Sequence, residues 1–372
     1  MAIQTSHVGS LPRSQKVVDY IFAREKGEDY NEIEFDKVMT EAVNDTVRKQ
    51  KKAGIAIVSD GETSKISYAT YVKDRYHGFA GDSPRNAPAD LKKFPNYLQK
   101  LANDGGTPKY ARPMCVSKLE PKKNDDLIKD IDNLKKALKG NDIKKGFMNA
   151  ASPGVISLFL QNDYYPSRED YLEALSSLMQ FEYEMIVKSG LDLQIDCPDL
   201  ALSRHMLFND MTDDEFVKVA SINIESLNNA LRNIPKDKIR IHICWGNYEG
   251  PHVCDISISK MFETLMNVKT GHILFEAANP RHAHEWEVFE EKKNLIPDDL
   301  ILMPGVIDTT TNFVEHQNLV VQRLKNFTNI VGNERVIGSS DCGFGTFAGF
   351  GTIDPDIAYE KLKVLAEGAA KV

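Results

Sequence analysis

The sequence predicts an α/β fold built as a single (β/α)8 barrel, because short apolar runs alternate with helical patterns along the chain. Eight such runs occur in order, and amphipathic segments separate most of them. Each run has a polar residue at or near its end, as expected for a TIM barrel whose reactive groups collect at the carboxyl ends of its strands. The runs occupy residues 3–10, 55–62, 145–152, 191–198, 239–246, 272–279, 300–308 and 335–343.

Helix signals fill the gaps between these runs. Segment 34–54 places apolar side chains on one helical face and ends in a glycine. Ser167 and Thr212 are each followed three residues later by an acidic residue, which is the pattern of a capping box. Asp354 precedes a proline and predicts the start of the last helix.

The gap between the second and third runs, residues 63–144, is longer than one helix needs. We therefore expect an insertion at about 80–130 over the barrel mouth, in which ARPMCVSKLEP forms an extra hairpin. The remaining chain is predicted to be one domain over 1–372. An open doubly wound sheet is the alternative, but no G-x-G-x-x-G pattern follows the first run.

Composition limits the classes of function. The chain has 372 residues, of which 42% are hydrophobic and 27% are charged, as in ordinary globular proteins. A net charge of −8 argues against nucleic-acid binding, and no run is long enough to span a membrane. The pattern of a signal peptide is missing, and five widely spaced cysteines do not form a disulfide framework, so we expect a cytoplasmic protein. The oligomeric state stays open, and a homo-oligomer is compatible with the sequence.

Four residues at the ends of apolar runs form a chemically matched set of metal ligands: His242, Cys244, Glu276 and Cys342. One imidazole, two thiolates and one carboxylate complete a tetrahedral zinc site. Residues two apart in a strand point the same way, so His242 and Cys244 can face the barrel interior together. A buried structural role is the simpler explanation for any one of them. Four such residues at matching strand ends favour Zn²⁺ binding.

The ligand types also indicate the chemistry. Zinc beside two thiolates is electron-rich and would be a poor source of hydroxide. It is better suited to hold a substrate thiol, because coordination deprotonates a thiol at neutral pH. A bound thiolate can attack an alkyl carbon. The sequence therefore predicts an enzyme that transfers a methyl or alkyl group to a small-molecule thiol.

Further polar residues at the strand ends are candidate substrate contacts. Glu62 and Asp196 end the second and fourth runs and can together bind an ammonium group, as in an amino acid. Gly9 and Ser10 lie in HVGSLPR, whose amides can hold a carboxylate or a sulfonate, with Arg13 as a charge partner. Helix capping, loop and surface roles are the competing explanations for these residues.

Six motifs in this order resemble the catalytic barrel of cobalamin-independent methionine synthase over essentially the whole chain: VGSLPR, SDGE, QIDCPDLAL, HICWGN, FEAANP and SSDCGFG. The resemblance implies zinc on the four residues above and methyl transfer to the thiolate of homocysteine, giving methionine. It also implies that Asp308 assists proton handling at the methyl donor. The homocysteine contacts that it implies are Gly9, Ser10, Glu62 and Asp196.

The chain departs from this family at three places. An acidic residue of the family is Cys197 here, and the histidine of the Asp-x-His segment is missing after Asp308. ASPGVISLFLQNDYY lacks the tryptophan on which the family stacks its pteridine, so Phe159, Tyr164 or Tyr165 would have to stack instead.

Other readings of the same motifs stay open. Short relatives include epoxyalkane:coenzyme M transferases and enzymes thought to accept methyl from a corrinoid protein, so the donor can be a folate, a corrinoid protein or an epoxide. Glu62 and Asp196 would repel a sulfonate, which favours an amino-acid thiol over coenzyme M. A rival of another class is a non-catalytic, zinc-stabilised barrel that binds a thiol metabolite.

Overall fold

The computed structural model describes residues 3–83, 87–103, 110–123, 125–351 and 353–372. The strands in these ranges are β1 Gln4–Thr5, β2 Tyr76–Ala80, β3 Met114–Pro121, β4 Phe147–Ala151, β5 Asp192–Asp196, β6 Ile239–His242, β7 His272–Glu276, β8 Ile301–Ile307 and β9 Ile337–Ser340. The α-helices are α1 Gln15–Lys26, α2 Glu32–Lys52, α3 Val72–Arg75, α4 Ala89–Lys92, α5 Pro95–Asn103, α6 Asp125–Gly140, α7 Pro153–Phe159, α8 Arg168–Lys188, α9 Ser203–Met206, α10 Asp213–Ala230, α11 Ile258–Leu265, α12 Trp286–Glu291, α13 Gln317–Val331 and α14 Pro355–Ala369.

Seven strands form one parallel sheet in the order β1-β9-β8-β7-β6-β5-β4. Each neighbouring pair is parallel, and helices lie between most consecutive strands in the sequence. Seven of the eight apolar runs therefore contain a strand of this sheet, which confirms the predicted α/β fold. All the carboxyl ends point to one rim, because the strands run in the same direction.

The second apolar run lies between the two edges of this sheet without forming a regular strand. The amide of Ile57 donates to the carbonyl of Thr5 at 3.0 Å, and the amide of Phe147 donates to the carbonyl of Val58 at 2.9 Å. The Thr5 carbonyl also accepts from Ala56 at 3.2 Å, so the pairing does not advance along the chain as in a regular ladder. The segment is hydrogen-bonded to both β1 and β4.

Side chains from six parts of this ring pack into one apolar cluster. The cluster is separate from the main core between sheet and helices, and it includes Ile57 from the second run. It supports the rim from below, as expected for a barrel with a filled interior. Its buried members are Val8, Ile57, Phe147, Leu274, Met303 and Ile337.

The predicted helix starts are confirmed. The side chain of Ser167 accepts from the amide of Asp170 at the start of α8, and Thr212 forms a full capping box at α10. Asp354 caps α14 ahead of its first-turn proline. Helix α2 buries an apolar stripe and ends at Lys52, close to the predicted glycine. Among the helices described above, none is long and apolar enough to cross a membrane.

The segment ARPMCVSKLEP does not form a hairpin by itself. It supplies strand β3, which pairs antiparallel with β2, and helices α4 and α5 lie between the two strands in sequence. Residues 84–86, 104–109 and 124 of the expected insertion lie outside the described ranges. The described parts contact the loop after β6, because the hydroxyl of Tyr97 donates to the Glu249 carbonyl and that of Tyr248 donates to Asp90.

Candidate metal centre

Three of the four predicted metal ligands lie together at the rim. The ligand atoms of His242, Cys244 and Cys342 all lie within 4.8 Å of one another, and all three residues are buried. His242 ends β6, Cys244 follows two residues later, and Cys342 lies two residues beyond β9. The two sulfur atoms are 3.7 Å apart. Two thiolates on a tetrahedral zinc with bonds of about 2.3 Å would be about 3.8 Å apart, so the pair fits this metal.

The imidazole of His242 is oriented by a carboxylate. Its Nδ1 lies 3.2 Å from Oδ1 of Asp196, and its Nε2 lies 3.2 Å from the Asp341 carbonyl. Burial lowers the pKa of His242, but the hydrogen bond to Asp196 and the nearby Cys342 raise it to about 9 overall. Carboxylates commonly fix metal-bound histidines in this way and leave the other ring nitrogen for the metal.

The cysteine pair needs a cation to ionise. Hydrogen bonding with Cys342, burial and the charges of Cys342 and Glu276 raise the pKa of Cys244 well above its ordinary value. A single amide, that of Gly246, donates to the Cys244 sulfur at 3.2 Å. Metal coordination deprotonates a thiol directly, so this donor set is matched to a metal ion.

Glu276, the fourth predicted ligand, lies at the end of β7 but outside the group of three. Its Oε1 accepts from the amide of Trp245 at 2.9 Å, and its Oε2 accepts from the Asn279 side chain at 2.5 Å. Trp245 directly follows Cys244, so the bond to its amide connects the carboxylate of Glu276 to the segment that carries the ligand Cys244. Its role as a ligand stays a prediction.

A cavity of about 360 Å³ lies beside the metal group. The loops after β6, β7, β8 and β9 line it, and its walls include Glu276, Asp308 and Cys342. This volume is in the range of small-molecule sites.

Asp308 borders this cavity but also holds its own loop. Its carboxylate accepts from the amide and the hydroxyl of both Thr310 and Thr311, at 2.7 to 3.1 Å. Four such bonds make it the cap of the turn after β8. Its proton-handling role stays a prediction.

Glu62 is a buried carboxyl group with a free oxygen. It is 2% exposed, and its Oε2 has no hydrogen-bond partner within the described ranges. Burial raises the pKa of Glu62 to about 8, helped by Asp196 and opposed by Lys65. Its backbone adopts a φ of 54°, which is unusual outside glycine and aims the side chain away from the regular strand direction. A buried carboxyl without a partner suits an ammonium group.

Gly9 is required by a close approach at the end of β1. At its φ of 148°, an added Cβ would lie 2.3 Å from Oδ1 of Asn149. Asn149 in turn donates to Asp196 at 2.9 Å, so Gly9 leaves room for the residue that positions the carboxylate. Ser10 is buried, and its carbonyl accepts from Phe344 at 2.8 Å, close to the cysteine at 342.

The guanidinium of Arg13 binds the protein itself. It donates to the carbonyls of Glu62, Thr63, Lys65 and Gly345. It therefore links the turn that carries Glu62 to the loop after β9, a structural role that the sequence did not suggest. Its predicted contact with a substrate anion stays a prediction.

Aromatic side chains at the rim form a second wall. The ring of Tyr68 lies 5.9 Å from that of Phe159 and 6.0 Å from that of Phe347. Burial raises the pKa of Tyr68 well above its ordinary value, and the charge of Cys244 adds to this shift. No spacing pattern in the sequence connects these rings, because Phe159 ends α7 and the other two come from separate loops.

Of the three rings proposed to replace a stacking tryptophan, Phe159 lies in this aromatic wall. Tyr164 is 50% exposed, and Tyr165 instead stacks on Tyr171 with ring centroids 5.8 Å apart. The Tyr165 hydroxyl also accepts from the amide of Leu119 in β3. Stacking by Phe159 stays a prediction.

Known sequences resemble the chain along nearly its whole length. The methionine synthase of Thermococcus kodakarensis is 26% identical over 368 residues, covering 98% of this chain and 92% of that protein. The 2-hydroxypropyl-CoM lyase of Xanthobacter autotrophicus is 24% identical over 401 residues, covering 99% and 94%. No protein-family model matches the chain.

Two solved structures have a similar fold. A B12-independent methionine synthase from Shewanella in complex with selenomethionine has a TM-score of 0.71 at 20% identity, covering 99% of this chain and 97% of that one. A putative B12-independent methionine synthase from Listeria monocytogenes has a TM-score of 0.70 at 19% identity, covering 100% and 99%. The chain is thus a homologue of short methionine synthases with the fold of the cobalamin-independent type.

Proposed function

We propose that the protein is a zinc-dependent methyltransferase that transfers a methyl group to the thiol of homocysteine and forms methionine. The observation that carries the proposal is the buried group of His242, Cys244 and Cys342, whose sulfur atoms are 3.7 Å apart at the strand ends. Its sequence relatives include methionine synthases, which supports this choice of reaction.

The chain's own residues would hold the metal. His242, Cys244 and Cys342 would be its ligands, and Glu276 would be the fourth. When bound, zinc keeps an acceptor thiol ionised at neutral pH. Asp196 keeps the imidazole turned toward the site, as its 3.2 Å contact indicates. We expect a cytoplasmic location, since none of the five cysteines is in a disulfide.

The architecture proposed for this site is a single (β/α)8 domain over 1–372. The segment at 55–58 would be its eighth strand, because it is hydrogen-bonded to both sheet edges. The insertion at about 80–130 would cover the mouth, which its contacts with the loop after β6 support.

Residues near the metal group would bind the ammonium and carboxylate groups of homocysteine. Glu62 offers a buried oxygen without a partner and would take the ammonium group together with Asp196. An ammonium beside Glu62 favours its ionised form, because opposite charges stabilise each other in a buried site. The amides at Gly9 and Ser10 would take the carboxylate. Asp308, across the cavity, would assist proton handling at the donor, which can be a folate or a corrinoid protein.

A thiol alkyltransferase that uses coenzyme M is the second candidate. The similarity to 2-hydroxypropyl-CoM lyase favours it, since that relative spans nearly the whole chain. Against it, Asp196 would repel a sulfonate placed beside it, and Glu62 would do so once it is ionised. Supplying each thiol in turn therefore separates the two functions.

Replacing one cysteine at a time tests the proposal. We expect Cys342→Ser to lose most of its zinc and to form methionine from homocysteine at least about a hundredfold more slowly, because a thiolate ligand is gone. Cys254→Ser is the matched control, since Cys254 lies outside the metal group. Zinc content by mass spectrometry and methionine formation with 5-methyltetrahydrofolate or methylcobalamin are the measurements.

Two outcomes would reject the proposal. If Cys342→Ser keeps its zinc, the metal is bound elsewhere. If the zinc-loaded protein turns over neither homocysteine nor coenzyme M with any of these donors or an epoxide, the site is a non-catalytic one.

A further inference from the structure

We propose that Arg112 binds the acid group, a carboxylate or a sulfonate, of a substrate at the aromatic end of the barrel mouth. The inference rests on the proposed function, because the ligand would be one of its two substrates. It adds a binding residue on the segment before β3, outside the motifs that carry the metal ligands.

The guanidinium of Arg112 lies among aromatic rings. It is 5.2 Å from the ring centroid of Phe159 and 5.7 Å from that of Tyr110. The Tyr110 ring stacks on Phe347 at 5.9 Å, and Phe159 contacts Tyr68 at 5.9 Å. Tyr68 also contacts Phe347, so these four rings form a continuous wall from Arg112 to Phe347, which follows the ligand Cys342 by five residues.

This guanidinium has no anionic partner in the described part of the chain. Its Nε is buried and makes no hydrogen bond there, and no carboxylate forms an ion pair with it. Arginines that lie over a ring differ in their pairing: Arg168 and Arg240 have no ion pair in the described ranges, whereas two others do. Arg24 over Phe35 pairs with Asp126, and Arg75 over Tyr71 pairs with Asp130. A partly buried cation without an anion loses hydration without compensation, so Arg112 is set up to receive one.

The backbone fixes the position of Arg112. Its amide donates to the Asp82 carboxylate at 2.8 Å, and its carbonyl accepts from Ser83 at 2.7 Å. A nearby acid, Glu25, accepts from the amide of Ala111 and is neutralised by Lys73 at 2.6 Å. The guanidinium therefore keeps its charge available for a ligand.

The chemistry of the site selects a planar acid group. A guanidinium donates two parallel hydrogen bonds to a carboxylate or to a sulfonate. The surrounding rings lower the local dielectric and strengthen such a bond. The acid group can belong to the thiol acceptor or to the methyl donor, because homocysteine, coenzyme M and a folate donor each carry one.

Calorimetric binding to the zinc-loaded protein tests the proposal and separates the two sources. The acceptor arm compares homocysteine and coenzyme M with 2-mercaptoethanol, a thiol without an acid group. The donor arm compares 5-methyltetrahydrofolate with 5-methyltetrahydropterin, which lacks the glutamate. Both arms use the wild type, Arg112→Gln, Arg112→Lys and the control Arg24→Gln, which removes an arginine that lies over Phe35 and is outside the metal group.

We expect Arg112→Gln to weaken binding of the acid-bearing probe in one arm by about tenfold to a hundredfold, with its acid-free counterpart unchanged. Arg112→Lys should recover part of the affinity, and Arg24→Gln should bind as the wild type does. The arm that responds identifies the source. Equal affinities of Arg112→Gln and wild type for every acid-bearing probe, or no binding of any such probe to the wild type, would overturn the proposal.

A second readout separates this result from the proposed function. In cobalt-substituted protein, the sulfur-to-cobalt absorption band reports whether a thiol joins the metal. A band that never responds to any thiol rejects the proposed function. A band that responds equally in wild type and Arg112→Gln, at equal thiol concentrations, together with unchanged affinities in both arms, rejects only the role of Arg112.

Discussion

At the scale of single residues, the metal centre depends on carboxylates whose hydrogen-bond partners cannot be assigned from the sequence. Asp196 was predicted as an ammonium ligand because it ends a strand. In the structure its carboxylate accepts a hydrogen bond from the side chain of Asn149 and lies 3.2 Å from the ring of His242. A strand position predicts that a side chain points to the rim, but its nearest partner depends on side chains from other strands.

The raised pKa of Glu62 should make the stability of the protein depend on pH. Its pKa of about 8 in the folded chain exceeds its ordinary value of 4.5, so the folded state favours the protonated form. The stability that this preference contributes is complete below about pH 4.5 and is lost as the pH rises through about 8. At about 1.4 kcal/mol per pKa unit, the loss is at most about 5 kcal/mol. The amide in Glu62→Gln cannot ionise, so this variant should not show the loss of stability.

Urea unfolding of the zinc-loaded wild type and Glu62→Gln at about pH 5 and pH 8.5 measures this effect as a difference between the proteins. The wild type should lose stability relative to the variant as the pH rises. Parallel curves across this range would show that Glu62 is ionised in the folded protein near neutral pH.

At the scale of elements, the loop between β6 and α11 carries the ligand Cys244 and is fastened by one carboxylate. Asp255 is almost fully buried, and its Oδ2 lies 2.9 Å from both Nδ1 of His252 and Nε2 of His282. His205 approaches its other oxygen at 3.0 Å. The ring of His282 packs on Trp245, directly beside the ligand, with centroids 4.2 Å apart.

Removing this charge should loosen the loop. Asp255→Asn leaves His205 and His252 without their anion and leaves His282 with Glu285 alone, so we expect a loss of about 3 kcal/mol in the free energy of unfolding and a lower zinc affinity. Denaturant unfolding and competition with a chelator measure the two quantities. A surface acid in a similar ion pair, Asp214 beside Lys260, supplies the control Asp214→Asn, which should change neither. Unchanged zinc affinity in Asp255→Asn would show that the loop is held by other contacts.

Element boundaries were predictable where the signal was local. The caps at Ser167, Thr212 and Asp354 were read correctly from a few adjacent residues, because capping depends on neighbours in the chain. The irregular second run was not, because the apolar pattern of 55–62 resembles that of a regular strand. Its pairing depends on the carbonyl of Thr5, which accepts hydrogen bonds from the amides of both Ala56 and Ile57. Thr5 is distant from these residues in sequence.

At the scale of the whole molecule, the metal would join distant parts of one ring. Cys244 follows β6 and Cys342 follows β9, 98 residues apart in sequence and 3.7 Å apart in space. A ligand that binds only the folded state stabilises it. Removal of zinc by a chelator should therefore lower the melting temperature by roughly 5 to 10 °C.

Calorimetry before and after chelation measures this shift, with Cys342→Ser as the control that should respond little. A wild-type melting temperature that is unchanged on complete zinc removal would contradict a metal that links the strands.

The sequence predicted the parallel sheet and the three clustered ligands because both depend on apolar runs and on the residues at their ends. It did not predict the wall of Tyr68, Phe159, Phe347 and Tyr110 or the position of Arg112 beside it. These side chains come from separate parts of the chain, and their contacts follow from how those parts pack on one another. Sequence periodicity carries no information about such packing.

A metal held by His242, Cys244 and Cys342 would accept a substrate thiol as a further ligand. Zinc-edge X-ray absorption on the zinc-loaded protein, alone and with homocysteine or coenzyme M added separately, counts the sulfur atoms bound to the metal. We expect two sulfur ligands in the free protein and three when homocysteine is present. A protein without zinc, or a metal shell that neither thiol changes, would contradict this expectation.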